Sequence, residues 1–178
     1  MSGYRAPNRL LMPDRHSIDT PVDSWLIPNS TAAATGVWPS ANLAIYVPIR
    51  VPSRIVVAKL WFASFSTGTG NVDMAVYDAA GAAVISATNA AKGAATAEQV
   101  FDVTDTAIGP GLYYIGLSSD SATDTFLYMN WAAPLPAAWG VRTEASAYPL
   151  PATATWVVSQ TLATVPVMGM LIEGTVVS

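Results

Sequence analysis

From Ala41 to Leu117 the chain passes through one short β-branched or aromatic segment after another, each closed by Gly, Pro, Asp or Ser, with no helical period between them. The segments open with Leu43-Ala44-Ile45-Tyr46-Val47-Pro48-Ile49, continue over 54–62 and 70–78, and end with Gly109-Pro110-Gly111 leading into Leu112-Tyr113-Tyr114-Ile115-Gly116-Leu117. Short runs of this composition between turn residues are what a sheet with hairpin connections requires. Val72, Met74 and Val76 alternate with Asp73, Ala75 and Tyr77, the two-residue period of a half-buried strand. Asp78-Ala79-Ala80-Gly81 is a turn signal with Gly able to take positive φ, and it returns the chain into 82–87. Pro48 and Pro52 flank Ile49-Arg50-Val51 and mark it as an edge strand or a bend, because Pro cannot donate to an interior ladder.

The remaining segments follow the same logic. The Ala-rich run over 87–97 has helix propensity but no stripe of large apolar residues, and Gly93 interrupts it; it reads as a loop with room for one short helix. Alternation resumes over 98–103, Phe126 to Trp131 is the next strand, and Trp156-Val157-Val158 and 168–174 close the chain. Residues 132–155 form a long Pro- and Ala-rich excursion, and loops of that length are usually functional or in contact with a partner. The pattern predicts an all-β chain: a single antiparallel β-sandwich, jelly-roll-like, of about eight strands over 41–178, behind an extended N-terminal arm over 1–40. Its expected core is Ile55, Val57, Leu60, Phe62, Val76, Phe101, Tyr113, Ile115, Leu117, Phe126 and Leu171.

The arm follows from proline spacing. Pro7, Pro13, Pro21, Pro28 and Pro39 recur too often for a useful helix, yet Leu10, Leu11, Met12, Trp25, Leu26, Ile27, Val37 and Trp38 make the segment too apolar for a solvated tail. It must lie on something, its own sandwich or a partner. Arg5, Arg9 and Arg15 would meet an acidic surface if the partner supplies one.

Only 11% of the 178 residues are charged, against about 25% in an average globular domain. Much of the exterior is therefore Thr, Ser and Ala, or is buried against neighbours. Residues 1–54 carry five arginines against three aspartates, net +2; the rest carries three basic residues against nine carboxylates, net −6. No basic cluster marks a nucleic-acid footprint. Cysteine is absent, which excludes disulfides and thiolate metal sites. The N-terminus lacks the apolar core of a signal peptide and no run reaches membrane-spanning length, so synthesis in the cytoplasm is the expectation.

No catalytic constellation emerges. His16 is the only histidine, it sits in the Pro-rich arm, and no Gly-x-Ser-x-Gly elbow exists to partner it. A lone histidine without cysteine also excludes the usual zinc sets. Paired carboxylates could hydrolyse glycosides, but Asp73, Asp78, Asp102, Asp105, Asp120, Asp124, Glu98, Glu144 and Glu173 fall mostly at strand ends and turns, where Asp caps the backbone. Asp120 and Asp124, four apart, could join a calcium site, although the Gly and terminal Glu of an EF-hand loop are missing. Among six tryptophans, Trp61 and Trp156 lie in apolar runs and read as core. Trp131 and Trp139, with Tyr148, cluster around the excursion and could stack on a sugar or anchor an interface; Trp25 and Trp38 fit an interface.

Three stretches carry a resemblance. Val51-Pro52-Ser53-Arg54-Ile55-Val56, Asp73 to Tyr77-Asp78, and Ile108-Gly109-Pro110-Gly111-Leu112-Tyr113-Tyr114-Ile115-Gly116-Leu117 resemble, in that order, the strands of β-sandwich modules in structural proteins of tailed bacteriophages. The likeness covers about 41–130. Tyr114 stands where such modules often place Trp, a departure that weakens the transfer of a sugar-stacking role to that strand. The resemblance implies a non-enzymatic virion component, located in the virion, without cofactor, and binding neither nucleic acid nor membrane. Its partner would be the major capsid protein or another virion protein, and a homo-oligomer is expected, a trimer suiting three-fold sites. A short chain read as complete from Met1, no fibrous shaft, and an arm with anchors favour a capsid decoration protein attached through Arg5, Arg9, Arg15, Trp25, Leu26, Ile27 and Trp38. The alternative is a receptor- or glycan-binding module of a tail or head fibre, using Trp131, Trp139 and Tyr148.

Overall fold

Alternation puts Val72, Met74 and Val76 on one side of a strand, and the computed structural model, which describes residues 16–19, 31–65, 68–87, 89–93 and 97–175, buries all three completely. The strands in chain order are β1 (His16–Asp19), β2 (Thr31–Val37), β3 (Ala44–Val51), β4 (Ile55–Ser64), β5 (Asn71–Asp78), β6 (Ala83–Ser86) and β7 (Ala90–Ala91). They continue with β8 (Ala97–Ile108), β9 (Gly111–Ser119), β10 (Thr125–Asn130), β11 (Arg142–Glu144), β12 (Thr164–Pro166) and β13 (Met168–Thr175); a single helical turn, α1 (Leu135–Ala138), precedes β11. A seven-stranded sheet runs β1-β13-β4-β10-β12, with β2 on β10 and β8 on β4; a six-stranded sheet runs β11-β3-β9-β5-β6, with β7 on β5. Pairing is antiparallel, and the two sheets form the predicted sandwich. More strands exist than alternation revealed because β1, β6, β7, β11 and β12 are two to four residues long, too short to display a period.

The chain changes sheets in a jelly-roll-like way at β2–β3, β3–β4, β4–β5, β7–β8, β8–β9, β9–β10, β10–β11 and β11–β12. Two crossings lie side by side: Val51 pairs with Gly111 in one sheet, and Ile55 with Ile108 in the other. Pro52 and Gly109-Pro110 therefore mark a shared corner between sheets. Pro48 lies where β3 has lost β11 as a neighbour, since β11 reaches only Ala44 to Tyr46. The turn after α1 packs there instead, with Gly140 at φ +90 close enough to the Pro48 ring that an added Cβ would touch it at 3.5 Å. That is a covered edge at a proline.

Of the two supports expected for the segment over 1–40, its own sandwich or a partner, the described parts take the first. β1 pairs with β13 and β2 with β10, so His16–Asp19 and Thr31–Val37 are strands of the seven-stranded sheet. The prolines forbid a helix but fall outside these strands: Pro13 and Pro21 flank β1, Pro28 and Pro39 flank β2. Trp38 is fully buried between the sheets, 4.8 Å from the Phe126 ring, with its indole N–H donating to the Leu43 carbonyl at 2.8 Å. It packs inside its own sandwich, which leaves the indole no exposed face for the partner contact expected of it.

The inter-sheet core contains Ile55, Val57, Leu60, Phe62, Val76, Phe101, Ile115, Leu117 and Phe126 as expected. Tyr113 and Leu171 are only half-buried. Tyr113 follows the corner at Gly111, where the sandwich opens, and Leu171 alternates with core-facing Met168 and Met170, which turns it outward.

Candidate functional site

Five of the carboxylates weighed for chemistry, Asp73, Asp78, Asp120, Asp124 and Glu144, are engaged in holding the fold. Asp78 Oδ1 accepts the N–H groups of Ala80 at 2.9 Å and Ala82 at 3.0 Å, closing the turn that Gly81 completes at φ +92. Asp120 accepts Asn71 N–H at 2.6 Å and its side-chain amide at 2.8 Å. Asp124 accepts the N–H groups of Thr69 at 3.0 Å and Gly70 at 3.1 Å. The two candidate calcium ligands thus fasten the approach to β5. Among the described residues no group of three or more His, Cys, Asp or Glu is placed to hold a metal. Buried Lys92 donates to Ser64 Oγ at 2.8 Å and lies 5.2 Å over the Phe126 ring. Burial pulls its ammonium below the ordinary lysine range, an effect that the Asp124 charge opposes.

A strap over 144–157 covers the outer face of the six-stranded sheet. Strand alternation sends Tyr46, Ala75, Tyr77 and Tyr114 to that face, and Ala147, Leu150, Ala154 and Trp156 pack onto them. Trp156 stands 4.5 Å from Tyr114 and 5.2 Å from Tyr46, which itself meets Tyr77 edge-on at 5.2 Å. Polar bonds fasten the strap. Tyr46 donates to Glu144 Oε2 at 2.8 Å, Tyr77 donates to the Pro151 carbonyl at 2.7 Å, and Asp73 Oδ2 accepts Leu150 N–H at 2.9 Å. Glu144 also accepts Thr155 N–H and hydroxyl at 3.0 and 2.6 Å. Burial raises both phenols, reinforced at Tyr46 by the bond to Glu144 and at Tyr77 by the Asp73 charge. Asp73 is 6% exposed, its Oδ1 has no hydrogen-bond partner, and burial raises its carboxyl against the pull of the Leu150 and Met74 N–H groups.

The aromatic cluster expected around the excursion does not form one surface. Trp131 is buried in the main core and Trp139 packs against it, ring centroids 3.9 Å apart and perpendicular. Tyr148 belongs to the strap, its phenol pushed up to about 12 by burial and by the Asp120 and Asp73 charges. The excursion is pinned down by α1, β11 and the strap, so these rings meet edges rather than offering a shared flat face. Arg5, Arg9, Arg15, Trp25, Leu26 and Ile27 lie outside the described residues.

What faces outward is an uncharged sheet edge. Val157 exchanges both backbone hydrogen bonds with Thr143, at 2.8 and 2.9 Å, and so becomes the outermost residue beside β11. Val157 and Val158 are 61% and 45% exposed. Next to them a groove of about 370 Å³ is lined by Pro39, Leu43, Thr143, Ser159, Thr161 and Leu162, all apolar or hydroxyl-bearing. Directly paired residues share a face, so Val157, opposite Thr143, lies on the groove's side. The sequence reading named Trp156-Val157-Val158 as a closing segment but not its edge position, because a single bridge leaves no alternation. Charge would have found it: no charged residue occurs between Glu144 and Glu173. In comparisons with protein-family models, curated proteins and solved structures, the chain matches none.

Proposed function

We propose that this chain is a non-enzymatic structural protein of a tailed-phage virion, and within it a capsid decoration protein. The observation that carries the reading is where the polar groups go. Asp73, Asp78, Asp120, Asp124 and Glu144 are bound to backbone N–H groups, while the outward edge at Val157 and Val158 carries no charge. Carboxylates committed in this way serve turns and a strap, and an uncharged outer edge serves contact. The stretches that resemble phage sandwich modules fall on the β3–β4 corner, on β5 and on β9, the strands that build the sandwich. In this reading the docking elements are Arg5, Arg9 and Arg15 ahead of β1, and Trp25, Leu26 and Ile27 between β1 and β2; the partner is the major capsid protein. Binding the assembled shell better than its parts stabilises the shell by mass action.

The test is co-sedimentation with phage shells. Saturable, stoichiometric binding supports decoration; no binding to shells together with binding to host cells or a glycan array overturns it. Removing residues 1–15 leaves every described strand in place and should keep cooperative melting while weakening attachment. Trp25→Ala should weaken attachment by more than about 1 kcal/mol if it is one of the few anchors that dominate an interface. Full occupancy by both variants would remove the docking role from these residues. Removing 1–40 instead takes away β2 and Trp38, and should destabilise the sandwich itself.

A further inference from the structure

We propose that the chain pairs with a second copy of itself through the edge of the six-stranded sheet, antiparallel about a two-fold axis at Val157. The backbone supplies the first reason. Val157 turns its N–H and C=O inward to Thr143, so the alternation of a strand turns those of Trp156 and Val158 outward, where they have no backbone partner among the described residues. With Val157 opposite its symmetry mate, each Trp156 faces the other copy's Val158, and all four outward residues of the pair find partners in the same register.

Charge supplies the second reason, and it selects a second copy as the occupant. In this register Val157 lies on the two-fold axis and meets its own copy, so a charge there would meet its own kind. Here the run from Thr155 to Thr164 carries none. The outer edge of the other sheet is built differently: β8 exposes Glu98, Asp102 and Asp105, the charges by which natural sheets refuse a neighbour. The third reason is apolar area. The pairing covers Val157 and Val158, now 61% and 45% exposed, and closes one side of the groove lined by Leu43 and Leu162. This pairing stands whether or not the chain attaches to a virion.

The cysteine-free sequence makes the register directly testable. A pair of inward-bonded residues facing each other across the axis sets Cα atoms about 4.5 Å apart, inside the roughly 4.4–6.8 Å range that a disulfide spans. Oxidised full-length Val157→Cys should therefore run at twice the 18.6 kDa chain mass on a non-reducing gel, whereas Val100→Cys, at a 39% exposed valine on β8, should not. By sedimentation equilibrium the unmodified chain should dimerise with rising concentration, and Val157→Lys should weaken the dimer at least tenfold while its melting curve stays cooperative. A chain monomeric at every concentration overturns the proposal, leaving the edge to some other protein. So do equal association of Val157→Lys and unmodified chain, and equal cross-linking at 100 and 157.

Discussion

Gly116 sits at the middle of β9 on its outer face, where the Tyr46 and Tyr77 rings lie directly on the backbone. A Cβ added there would come within 3.0 Å of two Tyr46 ring carbons and 3.2 Å of Tyr77. Neither ring can yield easily. Both are fully buried, they meet edge-on, and their hydroxyls are bonded to Glu144 and Pro151 of the strap. Overpacking at such a site costs about 1–3 kcal/mol. Against this, replacing Gly by Ala stabilises by about 0.4–1 kcal/mol through the unfolded chain. The steric term wins, and Gly116→Ala should lose about 1–2 kcal/mol net, lowering Tm by roughly 2–8 °C for a chain of this size. Gly109→Ala is the control, because a Cβ there meets nothing within 4 Å and φ is not positive; it should be neutral or slightly stabilising. Thermal unfolding followed by circular dichroism reads both, and limited proteolysis should cut Gly116→Ala sooner within 144–157. Equal stability and equal strap protection in the two variants would refute the claim that the strap is seated on these rings.

Two further outcomes follow from burial and charge. Asp73→Asn keeps an acceptor for Leu150 N–H while removing a buried charge, so it should be at least as stable as the unmodified chain at neutral pH. Because burial holds the Asp73 carboxyl above its ordinary value, its contribution is fully present below that value and lost as pH rises through the raised one. Denaturant titrations across that rise should show the unmodified chain losing stability relative to Asp73→Asn; a parallel pair of curves would remove the burial argument. Ile115→Ala, at a fully buried position between the sheets, should cost about 2–5 kcal/mol in the same titration, and a loss under about 0.5 kcal/mol would contradict its place in the core.

β5 and β9 could be read directly from β-branched and aromatic runs between turn residues, but the half-buried period expected of β5 does not hold. The strap covers its outer face and buries Asp73, Ala75 and Tyr77 along with Val72, Met74 and Val76. The turn at Asp78 to Gly81 was legible too, since only certain side chains close such a turn and Gly81 takes the positive φ. What sequence could not show is which partner buries an apolar residue. Trp38 stands in Pro-rich sequence that suited an interface equally well, and only the fold identifies it as an internal anchor. The same ambiguity explains the excursion. Its Pro and Ala content correctly excludes regular structure over most of its length, but a chain without ladder bonds can still be held by side chains from the sheet beneath it. Tyr46, Tyr77 and Asp73 do this from alternate positions of β3 and β5, positions that in a bare sandwich would face water. Their residue types carry the clue: two tyrosines and an acid on the outer face of central strands suit a polar-tipped layer beneath a covering segment. Covering that face leaves the sheet's edge beside β11 as the place where backbone groups still point outward, and there the chain has placed two valines and no charge. That uncovered edge is the one through which the proposed pairing with a second copy would run.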